Sequence, residues 1–354
     1  MQAAPVSQPD LRYFWADFIR NTSILLVILE HVSGMALQRG DRIPFYDWLV
    51  GDVFNVIARA CVPLLFMISG ALLLPKQENI SEFYRKRFQR VVFPFLFWSV
   101  LYLLWNRSGY SNYSLFNAIK TIILNILIER AEYHLWFMYE LFGVYLLTPL
   151  FRKVVDNQRE TVLWNFVAIW FIFGPFLRML HFYVPYDIIF DLGYLTGYIG
   201  YFVLGYLLAR IPIKKWMIWV SAIVYTASAI FTGYMTAYYF LNRPAMTEFY
   251  QYLLGVNIVF LSISAYILLK AMGESAFSKS RPHLKNLMAA FTSASFGIYL
   301  VHVFVLNFLR VQRLSPLDGP AILMIPVTTL LTLAISWIII FVLQKIPYLR
   351  ALVA

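Results

Sequence analysis

Apolar runs of roughly 20 residues recur along almost the whole chain, and a run of that length is what an α-helix needs to cross the hydrocarbon layer of a bilayer. They fall at about 14–37, 52–75, 88–106, 133–151, 161–180, 189–209, 216–240, 249–270, 287–309 and 320–344. A bilayer offers no water to an open backbone, so such runs fold as helices. The fold class is therefore all-α: a polytopic integral membrane protein with about ten transmembrane helices. Residues 114–128 are apolar on one side but short. They read as a re-entrant or interfacial helix, with an eleventh span as the alternative. The sequence is 61% hydrophobic and 13% charged, which excludes a soluble domain. No long soluble insertion, low-complexity linker or internal repeat divides it, so residues 1–354 read as one transmembrane domain.

The remaining charges are sorted by side. The N-terminus, the even-numbered connections and the C-terminus hold about twice as many Lys and Arg as the odd-numbered connections, which predicts that both termini are cytoplasmic. Basic loops against an anionic leaflet also account for the net charge of +11 with no nucleic-acid partner. Met1 to Asp10 has no basic region ahead of the first apolar run and no small-residue cleavage site follows, which predicts an uncleaved first helix. Cys61 is the only cysteine, so redox chemistry and cysteine-based metal binding are not expected.

Arg20 and His31 stand inside the first apolar run, where an ionisable residue is costly and by default marks a site. Eleven steps of about 100° bring His31 to within about 20° of the face that carries Arg20, roughly 16 Å along the helix. This stacking holds a cation near one surface and an imidazole deeper in the membrane. The second connection ends in Arg85, Lys86, Arg87 and Arg90. Arg87 and Arg90 share a helical face, and two guanidiniums on one face suit a polyphosphate; the other reading of the cluster is a topology signal. Coenzyme A carries its phosphates at one end and its thioester on a long flexible arm. With Arg20, Arg87 and Arg90 on the nucleotide, the arm reaches towards His31.

These residues resemble the membrane-bound acyltransferase-3 family, whose signature is Arg-x10-His in the first span and Arg-x-x-Arg at the start of the third. Arg20 to His31 fits the first motif and Arg87-Phe88-Gln89-Arg90 the second. The blocks Arg59 to Gly70, His134-Leu135-Trp136-Phe137 and Ser295 to His302 extend the likeness over most of the chain, and are most similar to the branch that contains the O-acetyltransferase of enterobacterial common antigen. The resemblance implies transfer of an acyl group, usually acetyl, from cytoplasmic acyl-CoA to a sugar hydroxyl of an envelope glycan or its lipid-linked precursor at a bacterial inner membrane. It implies His31 as general base and Arg20, Arg87 and Arg90 as donor-binding residues, with acetyl-CoA as co-substrate. A secondary transporter or flippase for an envelope precursor is the alternative, although two related halves with paired broken helices are not found.

The other polar residues in apolar surroundings complete the set. The second span runs back from the outside, so Arg59 lies at about the depth of His31, where it stabilises an oxyanion, binds the acceptor or pairs with a buried carboxylate. Glu30 joins the catalytic set as the neighbour of His31. It leaves the helix about 100° away, so a direct pair with His31 is not expected and an arginine on another span is the better partner. Asp17 is placed to orient Arg20, or is an interfacial charge. Ser69, at about the depth of Arg20, is a small residue that leaves room for the pantetheine arm or lets helices approach. His134, Trp136, Glu140, Tyr299 and His302 read as acceptor contacts or as packing residues. His31, His134 and His302 show no spacing that supports a metal site.

Overall fold

The computed structural model describes residues 11–105, 115–129, 131–157, 159–183, 197–243, 247, 249–279 and 281–353. The beginning of the span expected at 189–209 and the first ten residues lie outside these. Among the described residues there are helices and no strands. They are α1 (Leu11–Leu37), α2 (Phe45–Ala58), α3 (Cys61–Leu73), α4 (Ile80–Arg87), α5 (Phe93–Trp105), α6 (Leu115–Leu124) and α7 (Trp136–Asp156) in the first half. The second half adds α8 (Glu160–Phe171), α9 (Leu177–Tyr183), α10 (Ile199–Arg210), α11 (Lys215–Asn242), α12 (Val256–Lys279), α13 (Pro282–Val311) and α14 (Ala321–Lys345). Among the described residues, seven helical stretches are long and apolar enough to cross a membrane, three of them formed by α2 with α3, α4 with α5 and α8 with α9. The stretch expected to be re-entrant or interfacial is α6 and the turn after it, a shorter apolar helix.

The helices are built for lipid. In α11, Trp219, Ile223, Ile230 and Tyr234 face outwards while Ser221, Thr232 and Thr236 are buried, and α14 buries Thr328, Thr332 and Ser336 while exposing Leu323, Leu330 and Ile338. This is the reverse of a water-facing helix, because apolar side chains cost nothing against acyl chains and small polar ones pack or hydrogen-bond between helices. Thr232 and Thr236 donate to the carbonyls four residues back, at 2.7 and 2.8 Å.

Prolines break the spans where the site needs them broken. Pro63 has no N–H for the carbonyl of Arg59 and its ring crowds that carbonyl, and the helix is interrupted between α2 and α3 at Arg59 and Ala60. Pro94 does the same to Arg90, and residues Phe88–Val92 widen into a π-turn between α4 and α5. Both breaks present an arginine.

α1 lies at the centre, against α2, α3, α12, α13 and α14, which is why its polar side chains are enclosed. α3 packs against α10 through two glycines: a Cβ at Gly70 would overlap the Phe202 backbone, and one at Gly205 would overlap the Met67 backbone. Neither obstacle can rotate away. Gly70→Val is therefore expected to destabilise the bundle by about 3 kcal/mol, at the upper end of ordinary overpacking, seen as a lower unfolding temperature in detergent. Gly143→Ala, where nothing lies within 4 Å of the added atom, is the control and leaves that temperature unchanged or slightly raised. Equal behaviour of the two variants would refute this account of the α3–α10 contact.

Candidate active site

His31 and Glu30 stand in the C-terminal half of α1, and a chain of polar contacts runs away from them. The Nδ1 of His31 lies 3.1 Å from one carboxylate oxygen of Glu30, and a terminal nitrogen of Arg59 lies 3.2 Å from the other, two ion-pair contacts. Arg59 donates from its second terminal nitrogen to Gln251 at 2.8 Å, and Gln251 donates to Asp52 at 3.4 Å. Asn55 donates to the Glu30 carbonyl and to the Ser33 hydroxyl, each at 3.2 Å, fixing this turn of α1 against α2. With the carboxylate beside Nδ1, the tautomer that suits this contact has its proton on Nδ1 and leaves Nε2 as an acceptor. The Nε of Arg59 is buried and has no hydrogen-bond partner, so one donor of that guanidinium is uncommitted.

The adjacency of Glu30 and His31 in sequence did not predict their contact. Their Cβ atoms diverge, but a glutamate is long enough to fold back along the helix and meet both the imidazole and Arg59. His134 and His302, which sequence allowed to be packing residues, are brought against His31. The His31 and His302 rings stack at 5.3 Å between centroids, with His134 edge-on to His302 at 5.1 Å. The Nδ1 of His302 lies 2.6 Å from the Tyr299 carbonyl, and the Tyr299 hydroxyl donates to the His134 carbonyl at 2.6 Å. Tyr102 packs edge-on against His134 and donates to the Leu300 carbonyl at 2.8 Å. Both ring nitrogens of His134 and the Nε2 of His302 are buried without a partner. Although the three rings gather, no group of three His, Cys, Asp or Glu among the described residues is placed to hold a metal ion.

Two cavities meet beside these residues. One, of about 510 Å³, is lined by Glu30, His31, Arg59, His134, Trp136 and Arg310. The other, of about 910 Å³, holds Arg20, Ser69, Arg87 and Arg90. Leu65, Phe137 and Tyr299 line both, so the two cavities adjoin at these side chains. Glu140 is exposed and, like Asp17, lines neither cavity.

The basic residues at the arginine end divide into paired and unpaired groups. Lys86 binds Glu82 at 2.7 Å and Glu78 at 3.2 Å, and Arg152 binds Glu78 at 3.0 Å. Burial pushes the Glu78 carboxyl up, but hydrogen bonds from Arg152 and Lys86 outweigh it and hold the group below the ordinary glutamate range. Arg87 has no such partner: it lies over the Phe83 and Tyr145 rings, 5.1 and 5.6 Å from their centroids, and its Nε is buried without a hydrogen bond.

The acyltransferase-3 family model, described as an acyltransferase domain, matches residues 13–341. The chain belongs to this family. No curated protein and no solved structure matches it significantly. With the long apolar helices, the match makes the protein a multi-pass membrane acyltransferase. Within this acyltransferase, sequence reasoning missed Asp52, Gln251, Tyr102 and Arg350. Asp52, an acid inside an apolar run, carried a usable signal. Gln251 and Tyr102 carried none, being ordinary residues of their spans, and Arg350 was visible only as a topology charge.

Proposed function

We propose that this acyltransferase moves an acetyl or other short acyl group from cytoplasmic acyl-CoA to a sugar hydroxyl of a cell-envelope polysaccharide or exopolysaccharide, or of its lipid-linked precursor. In this reading it belongs to the branch of the enterobacterial common antigen O-acetyltransferase and works in a bacterial inner membrane with both termini, and hence the arginine cavity, on the cytoplasmic side. The observation that carries the reading is a pair of adjoining cavities with Leu65, Phe137 and Tyr299 in common, one lined by Arg20, Arg87 and Arg90 and the other by His31, Glu30 and Arg59.

The arginines hold the nucleotide phosphates through charge-assisted bonds, and the pantetheine arm passes Leu65, Phe137 and Tyr299. His31, held by Glu30, takes the proton of the sugar hydroxyl through Nε2 as the hydroxyl oxygen attacks the thioester carbonyl. Arg59, beside Glu30 with Nε uncommitted, donates to the oxyanion that forms. When the tetrahedral adduct collapses, the C–S bond breaks and His31 returns its proton to the departing CoA thiolate. Glu30 stabilises the imidazolium throughout, much as a carboxylate does in a hydrolytic triad.

Calorimetric titration of acetyl-CoA into the purified protein in nanodiscs tests the donor. Saturable binding is expected, abolished by neither desulfo-CoA substitution nor loss of the acyl group, since the phosphates supply most of the affinity. Folded protein that binds neither acetyl-CoA nor CoA would overturn the reading.

A further inference from the structure

The 910 Å³ cavity has a fourth arginine, Arg350, and no Asp or Glu in its lining. After α14 the chain turns at Pro347 and forms a short 3-10 turn, Arg350–Leu352, that returns beneath α5. Two anchors fix this return: Trp98 of α5 donates to the Leu352 carbonyl at 2.9 Å, and the Val353 side chain is fully buried. Between the anchors and α14, Pro347, Arg350 and Ala351 form part of the cavity wall. None of the four guanidiniums makes a salt bridge among the described residues, in contrast to Arg152. Four cations without a salt bridge around one cavity that has no acidic lining residue call for a ligand with several negative charges, because a cavity of a single charge sign focuses its field on counter-ions.

The four lie in two tiers. Arg20 and Arg87 are half-buried, whereas Arg90 and Arg350 are exposed at the mouth. Coenzyme A has a matching division of charge: a diphosphate from which the pantetheine arm leaves, and a separate phosphomonoester on the ribose 3′ oxygen. With the arm running inwards past Leu65, Phe137 and Tyr299, the diphosphate falls to the inner tier and the 3′-phosphate to the mouth. Arg90 stays beside Arg87 in the same turn of chain, close to the diphosphate, while Arg350 approaches from a different element. A phosphomonoester carries between −1.5 and −2 near neutral pH and takes a guanidinium bidentately.

We propose that Arg350, placed by the Trp98 anchor, binds the 3′-phosphate of coenzyme A and makes the donor site discriminate coenzyme A from 3′-dephospho-CoA. This rests on the acyl-CoA reading and deepens it. The test is calorimetric binding of both nucleotides to the full chain in nanodiscs. The wild type is expected to bind CoA about thirtyfold more tightly than 3′-dephospho-CoA, as one charged hydrogen-bonded pair supplies. Arg350→Gln is expected to lose that factor with CoA and to bind 3′-dephospho-CoA within about twofold of wild type. Arg350→Lys keeps part of the discrimination, because the charge remains without the fork. Trp98→Phe, which removes the anchor and touches neither cavity, shifts the ratio in the same direction. Equal losses for both nucleotides in Arg350→Gln, or a wild type indifferent to the 3′-phosphate, would overturn the assignment while leaving acyl-CoA as the donor. A wild type that binds neither nucleotide overturns the acyl-CoA reading, and this assignment with it.

Discussion

His31→Ala is expected to reduce acyl transfer by about a thousandfold, the middle of the range for removing a positioned general base, while CoA affinity stays within about twofold of wild type. The separation follows from the two cavities. His31 lines the smaller one, Arg20, Arg87, Arg90 and Arg350 line the larger, and only Leu65, Phe137 and Tyr299 belong to both. Release of CoA thiol from acetyl-CoA in membrane vesicles that contain the acceptor gives the rate, and calorimetry gives the affinity. A parallel loss of both would remove His31 from the chemistry and make it part of the donor site. Glu30→Gln sharpens the test. The amide keeps the volume and an acceptor oxygen for the His31 Nδ1 proton but loses the charge that favours the imidazolium. A smaller fall in rate with a displaced pH profile is therefore expected, rather than the loss seen with alanine at His31.

What could be read from the sequence, and what could not, divides along a physical line. That Arg20 and His31 stand on one helix was legible because an apolar run of this length folds locally, and the π-turn at Phe88–Val92 did not keep Arg87 and Arg90 from a common cavity. The break at Arg59 also has a local cause, since Pro63 stands four residues on. The contact between Glu30 and His31 was not legible, because it depends on side-chain torsions that helical geometry leaves free. The gathering of His134 and His302 on His31 was not legible either: it requires α13 to lie against α1 and the turn before α7 to meet both, and each is set by packing between distant segments. Arg350 shows the same limit at the end of the chain. Its place in the donor cavity depends on a hydrogen bond to Trp98, far away in sequence, and topology statistics treat such a residue only as a charge. The close approach of Gly70 and Gly205 to the facing backbones was not legible, because only the packing of α3 on α10 sets it.

Replacing Arg87 and Arg90 together with alanine is expected to weaken CoA binding by about a hundredfold, two charge-assisted contacts at roughly tenfold each. The basic cluster before α5 is not uniform. Lys86 already spends its charge on Glu78 and Glu82, so Lys86→Ala is the matched control, expected to change affinity by less than about twofold. Ionic strength separates a binding site from a topology signal. Screening reaches about 30 Å at 0.01 M salt and about 10 Å at 0.1 M, so wild-type affinity falls as salt rises, and the double variant, stripped of two cations, falls less steeply. The hundredfold gap is thus widest at low salt and narrows at high salt, a trend that a merely misfolded variant would not produce. If affinity and salt slope both match wild type, Arg87 and Arg90 serve only to orient the third span, and the donor phosphates are held by Arg20 and Arg350 alone.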